Sequence, residues 1–346
     1  RDPREGAKPV EARNTGARRY VCPKCGGRLA YDAAKAALGC DYCGHQSTSF
    51  LAPGGDDTVE EHDFLTTLPT ARGHTWELPV ARRLTCQECG ASFTLPPARS
   101  TAACPFCQSA HVTEAERGAD LIAPEAVIPF RRDAEAVTHD ILQWLAERRG
   151  GPADLARRAV LLAPKPVYLP FWTFNVLGQV TWRGELASEF GDEPKPISGA
   201  QPVWLDNFLV PASHTLPQRL LAALTDFDLN ALVAYSPDLL ADWPVEVYQI
   251  PLGDASLVAH QRANNEAMTA AREGLMPGQT IHGLACDSSG VVVDSFKLVL
   301  LPVWVASYRY GGKEYPVVVN GQTGTVHGQR PQSGLKKLLD GILSMA

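Results

Sequence analysis

The sequence predicts an α+β protein: two small tandem units that each close on four cysteines, followed by a duplicated platform of two modules, each a helix packed on an antiparallel sheet. Three observations carry this expectation. Eight of the nine cysteines in the 346 residues form two sets of paired C-x2-C motifs. The second set repeats the first at an offset of 64 residues. Beyond Gly118, proline-marked motifs recur in the same order in two stretches of chain.

The first unit holds Cys22, Cys25, Cys40 and Cys43, and the second Cys86, Cys89, Cys104 and Cys107, with 14 residues between the inner cysteines of each. A C-x2-C turn points two sulfurs at one centre, and a second such turn completes a tetrahedron of thiolates, the closed S4 site that zinc prefers. Gly26, Gly44 and Gly90 follow the second cysteine of their pairs and suit a backbone with φ > 0, whereas Gln108 breaks that rule. A disulfide between cysteines so close in sequence is strained, and two complete tetrads fit a reducing compartment. Iron uses the same ligands, but zinc is the commoner occupant at this spacing. The reading is two structural zinc ions per chain. With four protein ligands at each, no position stays open for water or substrate, and a unit of about 33 residues is too short to fold on apolar burial alone.

Ribbon one (18–50) and ribbon two (82–117) carry mixed charge, and the linker 51–81 is acidic. The chain as a whole has a formal charge of −6. A polyanion-binding surface needs a net positive footprint, so nucleic acid is the second choice of partner. The arginine pairs Arg18/Arg19 and Arg82/Arg83 are the places where phosphate contact is conceivable.

In the platform, Ile128-Pro129-Phe130 leads to Asp133 and His139, and Ile250-Pro251-Leu252 leads to Asp254 and His260. Asp133 and Asp254 are expected to cap helices over 133–149 and 254–273, the first burying Val137, Ile141, Leu142 and Leu145 and the second ending at Gly274. Leu169-Pro170-Phe171-Trp172 and Leu301-Pro302-Val303-Trp304 are each expected to open a strand, because proline costs nothing at a strand start. A meander follows: Val303–Tyr310, a turn at Gly311-Gly312, Tyr315–Val319, a turn at Asn320-Gly321, then Thr325–His327. Residues 201–248 read as a joining segment. The last stretch places Leu335, Leu338, Leu339, Ile342 and Leu343 on one helical face.

Chemistry is sparse. There is no phosphate-binding G-x-x-x-x-G-K-[ST] loop, no G-x-S-x-G elbow and no H-E-x-x-H helix, so the chain reads as non-enzymatic. His139 and His260 are expected to be packing residues. Cys286 is expected to be a buried structural thiol, with His282 on the same strand face. No run of 18 apolar residues exists, so no transmembrane segment is expected within the chain. It begins at Arg1, which reads as a processed or trimmed product.

These motifs, together with Phe208-Leu209-Val210-Pro211-Ala212-Ser213, Val319-Asn320-Gly321-Gln322-Thr323-Gly324 and Gly328-Gln329-Arg330-Pro331, resemble a bacterial family of TFIIB-type zinc-ribbon proteins often labelled primosomal protein N′ (replication factor Y)-like. The likeness starts at Tyr20 and covers nearly the whole chain. It implies a membrane-linked adaptor working beside SPFH/flotillin-like or phage-shock-protein-A-like proteins, with membrane helices following the position of Pro331. Asn175 stands where the family's aspartate is expected after Trp172-Thr173-Phe174.

The resulting expectation is a flexible tail (1–17), ribbon one, the acidic linker, ribbon two, an α+β module with its joining segment (118–248), a second module (249–331) and an amphipathic helix (332–346). Its function is that of a cytoplasmic, membrane-associated adaptor that recruits other proteins. The alternative is a nucleic-acid-binding accessory factor in replication or transcription.

Overall fold

The computed structural model describes residues 22, 24–25, 29–32, 37–40, 42–47, 61–64, 82–95, 103–115, 121–147, 151–188, 191, 193–240, 243–274 and 279–331. The tail 1–17, Arg18, Arg19, Gly26, most of the 51–81 linker, the end of the first helix at 148–150 and the stretch 332–346 lie outside the described residues.

In ribbon one, β1 (Leu29–Asp32), β2 (Ala37–Cys40) and β3 (Gln46–Ser47) form a small antiparallel sheet of their own. From the linker, β4 (His62–Asp63) pairs with a platform strand. Ribbon two contributes β5 (Arg82–Cys86), β6 (Ser92–Leu95) and β7 (Val112–Glu114), whose inner residues Leu84, Ala91, Phe93 and Leu95 pack round Cys86 and Cys104.

The platform begins with β8 (Ala126–Val127), α1 (Ala134–Ala146), α2 (Leu155–Arg158) and β9 (Val160–Leu161). Two strands of unusual length follow in sequence, β10 (Lys165–Ser188) and β11 (Lys195–Pro211), then α3 (Gln218–Leu221), β12 (Val233–Ala234) and β13 (Val245–Glu246). The chain closes with α4 (Leu252–Glu273), β14 (Gln279–Tyr310), β15 (Lys313–Asn320) and β16 (Val326–Gly328). Helix and sheet are both present, as an α+β class requires, but strand dominates and one large sheet replaces the two separate sheets expected. Its spine is the antiparallel pair β10–β14, of 24 and 32 residues, in which Leu169 faces Leu301. Residues 201–211 are not a joining segment: they are the inner half of β11, paired with β10.

The two L-P-x-W motifs do not open strands. Pro170 and Pro302 sit inside β10 and β14, at places where no amide is missed. On the side to which Pro170 turns its nitrogen, β10 changes neighbour, from β13 at Tyr168↔Val245 to β11 at Phe171↔Pro211. On the matching side of Pro302, β14 changes neighbour from β8 at Leu300↔Val127 to β15 at Val303↔Asn320. Each proline carbonyl accepts an amide from the end of the incoming strand: Ala212 N donates to Pro170 O at 3.0 Å and Gly321 N to Pro302 O at 2.8 Å.

The helices cross over. Helix α1 buries Val137, Ile141 and Leu145 against Trp304, Tyr308, Val317 and Val319, residues of β14 and β15, while Leu142 stays exposed. Helix α4 lays Ala255, Ala259, Ala263 and Ala267 over Trp172, Phe174 and Val176 of β10 and Val203 of β11. Alanine on this face lets a helix sit close to large aromatic side chains beneath it. Each tryptophan donates its indole N–H to the chain entering the opposing helix: Trp172 to Ile250 O at 2.9 Å, Trp304 to Arg132 O at 3.2 Å. The two acceptors, Arg132 and Ile250, are four residues out of step with the expected I-P alignment, in which Ile128 matches Ile250. Asp133 caps α1 as expected, accepting from Ala136 N at 2.8 Å. Asp254 does not cap α4; Pro251 holds that place, and Asp254 lies in the first turn, where its charge favours the helix N-terminus.

The other sheet face is covered by residues 216–227, with Leu216, Leu220, Leu221, Leu224 and Phe227 packed on Leu169, Phe171, Leu301 and Val303. The meander and its Gly311-Gly312 turn (φ 57° and 75°) follow the expected course. Asn320-Gly321-Gln322-Thr323-Gly324 forms a latch. The Asn320 carboxamide accepts from Gln322 N and Thr323 N, the Thr323 hydroxyl donates to Asp226 at 2.8 Å, and Gln322 exchanges two bonds with the Asp228 backbone. A Cβ on Gly321 would lie 2.7 Å from the Phe130 ring, so only glycine fits. Arg330 stacks on Trp144 at 4.2 Å and donates to the carbonyls of Trp144 and Glu147, closing the C-terminus of α1.

Candidate metal centres

The eight predicted cysteines gather as two groups of four, Cys22, Cys25, Cys40, Cys43 and Cys86, Cys89, Cys104, Cys107, with the sulfurs of each within 4.8 Å of one another. Within the groups, the sulfurs stand 3.6 Å apart for Cys22–Cys43, 3.5 Å for Cys25–Cys40, 3.5 Å for Cys86–Cys107 and 3.6 Å for Cys89–Cys104. A tetrahedron with metal–sulfur bonds of about 2.3 Å has edges of about 3.8 Å, so each group has the donors and the size for one metal ion. All nine cysteines are free of disulfides.

The knuckles repeat one local geometry. The amide of Gly44 donates to Cys40 O at 2.9 Å and that of Cys40 to His45 O at 2.8 Å. Gly90 and Cys86, and Gln108 and Cys104, make the same two bonds at 2.9–3.0 Å. The closing residue is left-handed in all three, with φ of 68° at Gly44, 74° at Gly90 and 61° at Gln108. Gln108 therefore adopts the glycine conformation against its own Cβ, at a cost of about 1 kcal/mol, instead of loosening the knuckle.

Backbone amides in the turns also aim at sulfur. Burial pushes the Cys86 thiol up, but the N–H groups of Cys89 and Glu88 outweigh it and bring Cys86 down to about 7; Cys40 stands at about 7 through the amides of Cys43 and Tyr42 in the same balance. Burial dominates at Cys89, pushed up to about 11, and at Cys104, raised further. Metal binding must expel those protons, which makes loading pH-dependent.

Ribbon two is built into the platform. Strand β6 pairs with β13 through Val245↔Thr94 and Glu246↔Phe93, Val247 N donates to Ser92 O at 2.8 Å, and β13 runs parallel to β10. At this seam lies a buried acid that the motif search passes over. Glu246 is fully buried, accepts from the Ser213 hydroxyl at 2.9 Å and from the Thr215 hydroxyl, and has no partner on Oε2. Burial outweighs the two hydroxyls and pushes its carboxyl up to about 7. A lone acid amid Trp243-Pro244-Val245 and Val247-Tyr248 was the signal in the sequence.

The linker is also strapped down. Glu61 binds Lys297 at 2.7 Å through one oxygen, and Asn175 Nδ2 and Ser295 Oγ at 2.8 and 3.0 Å through the other. Lys297 is 7% exposed and Phe64 packs edge-on against Phe174 and Phe296. His62 meets Glu125 at 3.0 Å. Asn175 also accepts from Asn207 N at 2.8 Å. An aspartate there would bring a second carboxylate to Glu61, so Asn175 suits this chain's own arrangement.

The remaining candidates do not gather. His139, on α1, is exposed, and His260, on α4, is half-buried; they stand six and nine residues past their respective caps. Cys286 is half-buried against the α4 core, and burial pushes its thiol up, the opposite of activation. His282 does not share its face. A bulge, with Gly283 at φ 61°, pairs His282 with Glu185 and Cys286 with Trp182, which switches the side-chain alternation between them. Among the described residues no helix is long and apolar enough to cross a membrane.

No protein-family model matches this chain, and no solved structure matches it. It is similar to the uncharacterized protein YdjG of Bacillus subtilis (strain 168), at 24% identity over 331 residues, covering 91% of this chain and 90% of that protein.

Proposed function

We propose that the chain is a non-enzymatic adaptor in which two structural zinc ions hold ribbons that present surfaces to partner proteins, on the TFIIB-type zinc-ribbon pattern. The observation that carries this reading is the donor set: four cysteines at each centre saturate a tetrahedral ion and leave no position for a substrate. The continuous β10–β13–β6 ladder supports it further, because a ribbon tied into the platform sheet is held at a fixed angle for docking. The platform itself reads as an internal duplication folded about the Leu169–Leu301 pair, supported by the matched prolines and the reciprocal indole bonds. Its setting is the cytoplasmic face of a membrane.

Titration of the zinc-loaded chain against single- and double-stranded DNA across a salt series tests the choice of partner. The adaptor reading expects no binding tighter than about micromolar at physiological salt; tighter binding with a steep salt slope replaces it with the nucleic-acid reading.

A further inference from the structure

Beyond Asn175 the platform narrows to three strands, β11, β10 and the first half of β14, covered on one face by α4. The opposite face is solvated and mainly polar, with Gln179, Thr181, Arg183 and Glu185 exposed along β10, as an antiparallel sheet open on one side requires. One cross-strand row departs from that pattern. Leu177 pairs with Trp204 on one side and Val292 on the other, and the three are 37%, 78% and 43% exposed. Strand spacing of about 4.8 Å makes them contiguous. Exposed apolar residues scattered singly are ordinary, but three abreast with a tryptophan at one end form a patch.

The flank of this patch is acidic. Asp206 lies two residues beyond Trp204 and Asp294 two beyond Val292, both exposed on the same face at the level where all three strands fall out of simple register. Between them Asn175 holds Glu61, whose side chain is 39% exposed and whose partner cation, Lys297, is buried. An apolar centre with carboxylates beside it repels phosphate and anionic lipid and attracts lysine or arginine, and an exposed indole face adds a cation–π site. Among the described residues the outer edge of β11 is unpaired, and it carries Pro196 and Pro202, which lack the amides that strand addition needs, so an occupant sits on the face and not along the edge.

We propose that the Trp204–Leu177–Val292 row is the docking surface for a partner protein whose contacting segment sets an apolar side chain next to lysine or arginine. The proposal rests on the adaptor reading and adds to the ribbons a partner surface on the platform. The test takes the zinc-loaded full chain and a fluorescein-labelled peptide of alternating leucine and arginine, with an alternating leucine–glutamate peptide as its counterpart, read by fluorescence anisotropy. The basic peptide is expected to bind, to weaken at least tenfold in Trp204→Ser and severalfold in Asp206→Asn/Asp294→Asn, and to outbind the acidic peptide by more than tenfold. Trp204 is mostly exposed, so an unchanged melting temperature is expected in the variant; the charge pair, which leaves Trp204 in place, gives a second reading if that fails. No binding of the basic peptide up to about 1 mM, equal binding by Trp204→Ser and by the charge-pair variant, or a dimer of the chain that Trp204→Ser dissolves would each overturn the proposal. Native co-purification separates the two levels: partners held equally by wild type and Trp204→Ser would sink this surface and leave the adaptor reading standing, whereas no protein held by either would sink the reading.

Discussion

Glu246 and Gln108 show how far single residues depart from local rules. A buried acid without a cation resists ionisation, and the sign of its effect on stability follows. With the native carboxyl at about 7 and an ordinary value of 4.5, the unfolded chain loses this proton first as pH rises. The contribution is therefore neutral below about 4.5, grows more destabilising between there and about 7, and levels off above at about 3 kcal/mol. Urea midpoints from pH 5 to 8 are expected to fall more steeply for wild type than for Glu246→Gln, so that the variant gains on wild type towards pH 8; parallel profiles would contradict the assignment. Gln108 gives the converse case, a strained backbone with an available remedy. Gln108→Gly should stabilise the loaded ribbon by up to about 1 kcal/mol, offset in part by glycine's greater unfolded entropy, and a lower melting temperature would show that the glutamine side chain contributes something unseen in the knuckle geometry.

At the scale of elements, what was legible followed from chemistry confined to short stretches. The eight cysteines announced both centres, Asp133 its helix, and Gly311-Gly312 and Asn320-Gly321 their turns. The misplaced elements depend on neighbours that are remote in sequence. Pro170 and Pro302 looked like strand starts because a proline normally ends a ladder; only the change of neighbour beside each makes room for it within a strand. The spacing of Asp254 matches that of Asp133 and suggests a cap, but α4 begins directly after Pro251, which puts Asp254 inside its first turn. Glu61 falls in the acidic 51–81 linker, and nothing local in the sequence points to its strap to Lys297, which spans more than 200 residues of chain. Two substitutions test these elements. Asp133→Ala should cost about 1 kcal/mol through the lost cap. Lys297→Met should cost about 1 kcal/mol less in a Glu61→Gln background than alone, because the single change leaves the partly solvated Glu61 carboxylate without its cation; additive costs in a double-mutant cycle would deny the strap.

For the whole molecule, two levels of order combine. Local four-cysteine centres, each with the donors for one metal ion, organise the two short ribbons, and a long antiparallel spine carries helices crossed over it, with ribbon two joined through β13. Removing metal should therefore act unequally: chelation is expected to release the ribbon-two strands β5–β7 to hydrogen exchange while the β10–β14 spine stays protected. The adaptor reading requires two centres, closed and thiolate-only. Native mass spectrometry of the full chain, purified with excess zinc and then desalted, measures this most directly. Two zinc ions per chain, reduced to one by Cys104→Ser or by Cys40→Ser and lost in both together, are expected. A single zinc in the intact chain, or two that survive either substitution, would overturn the assignment.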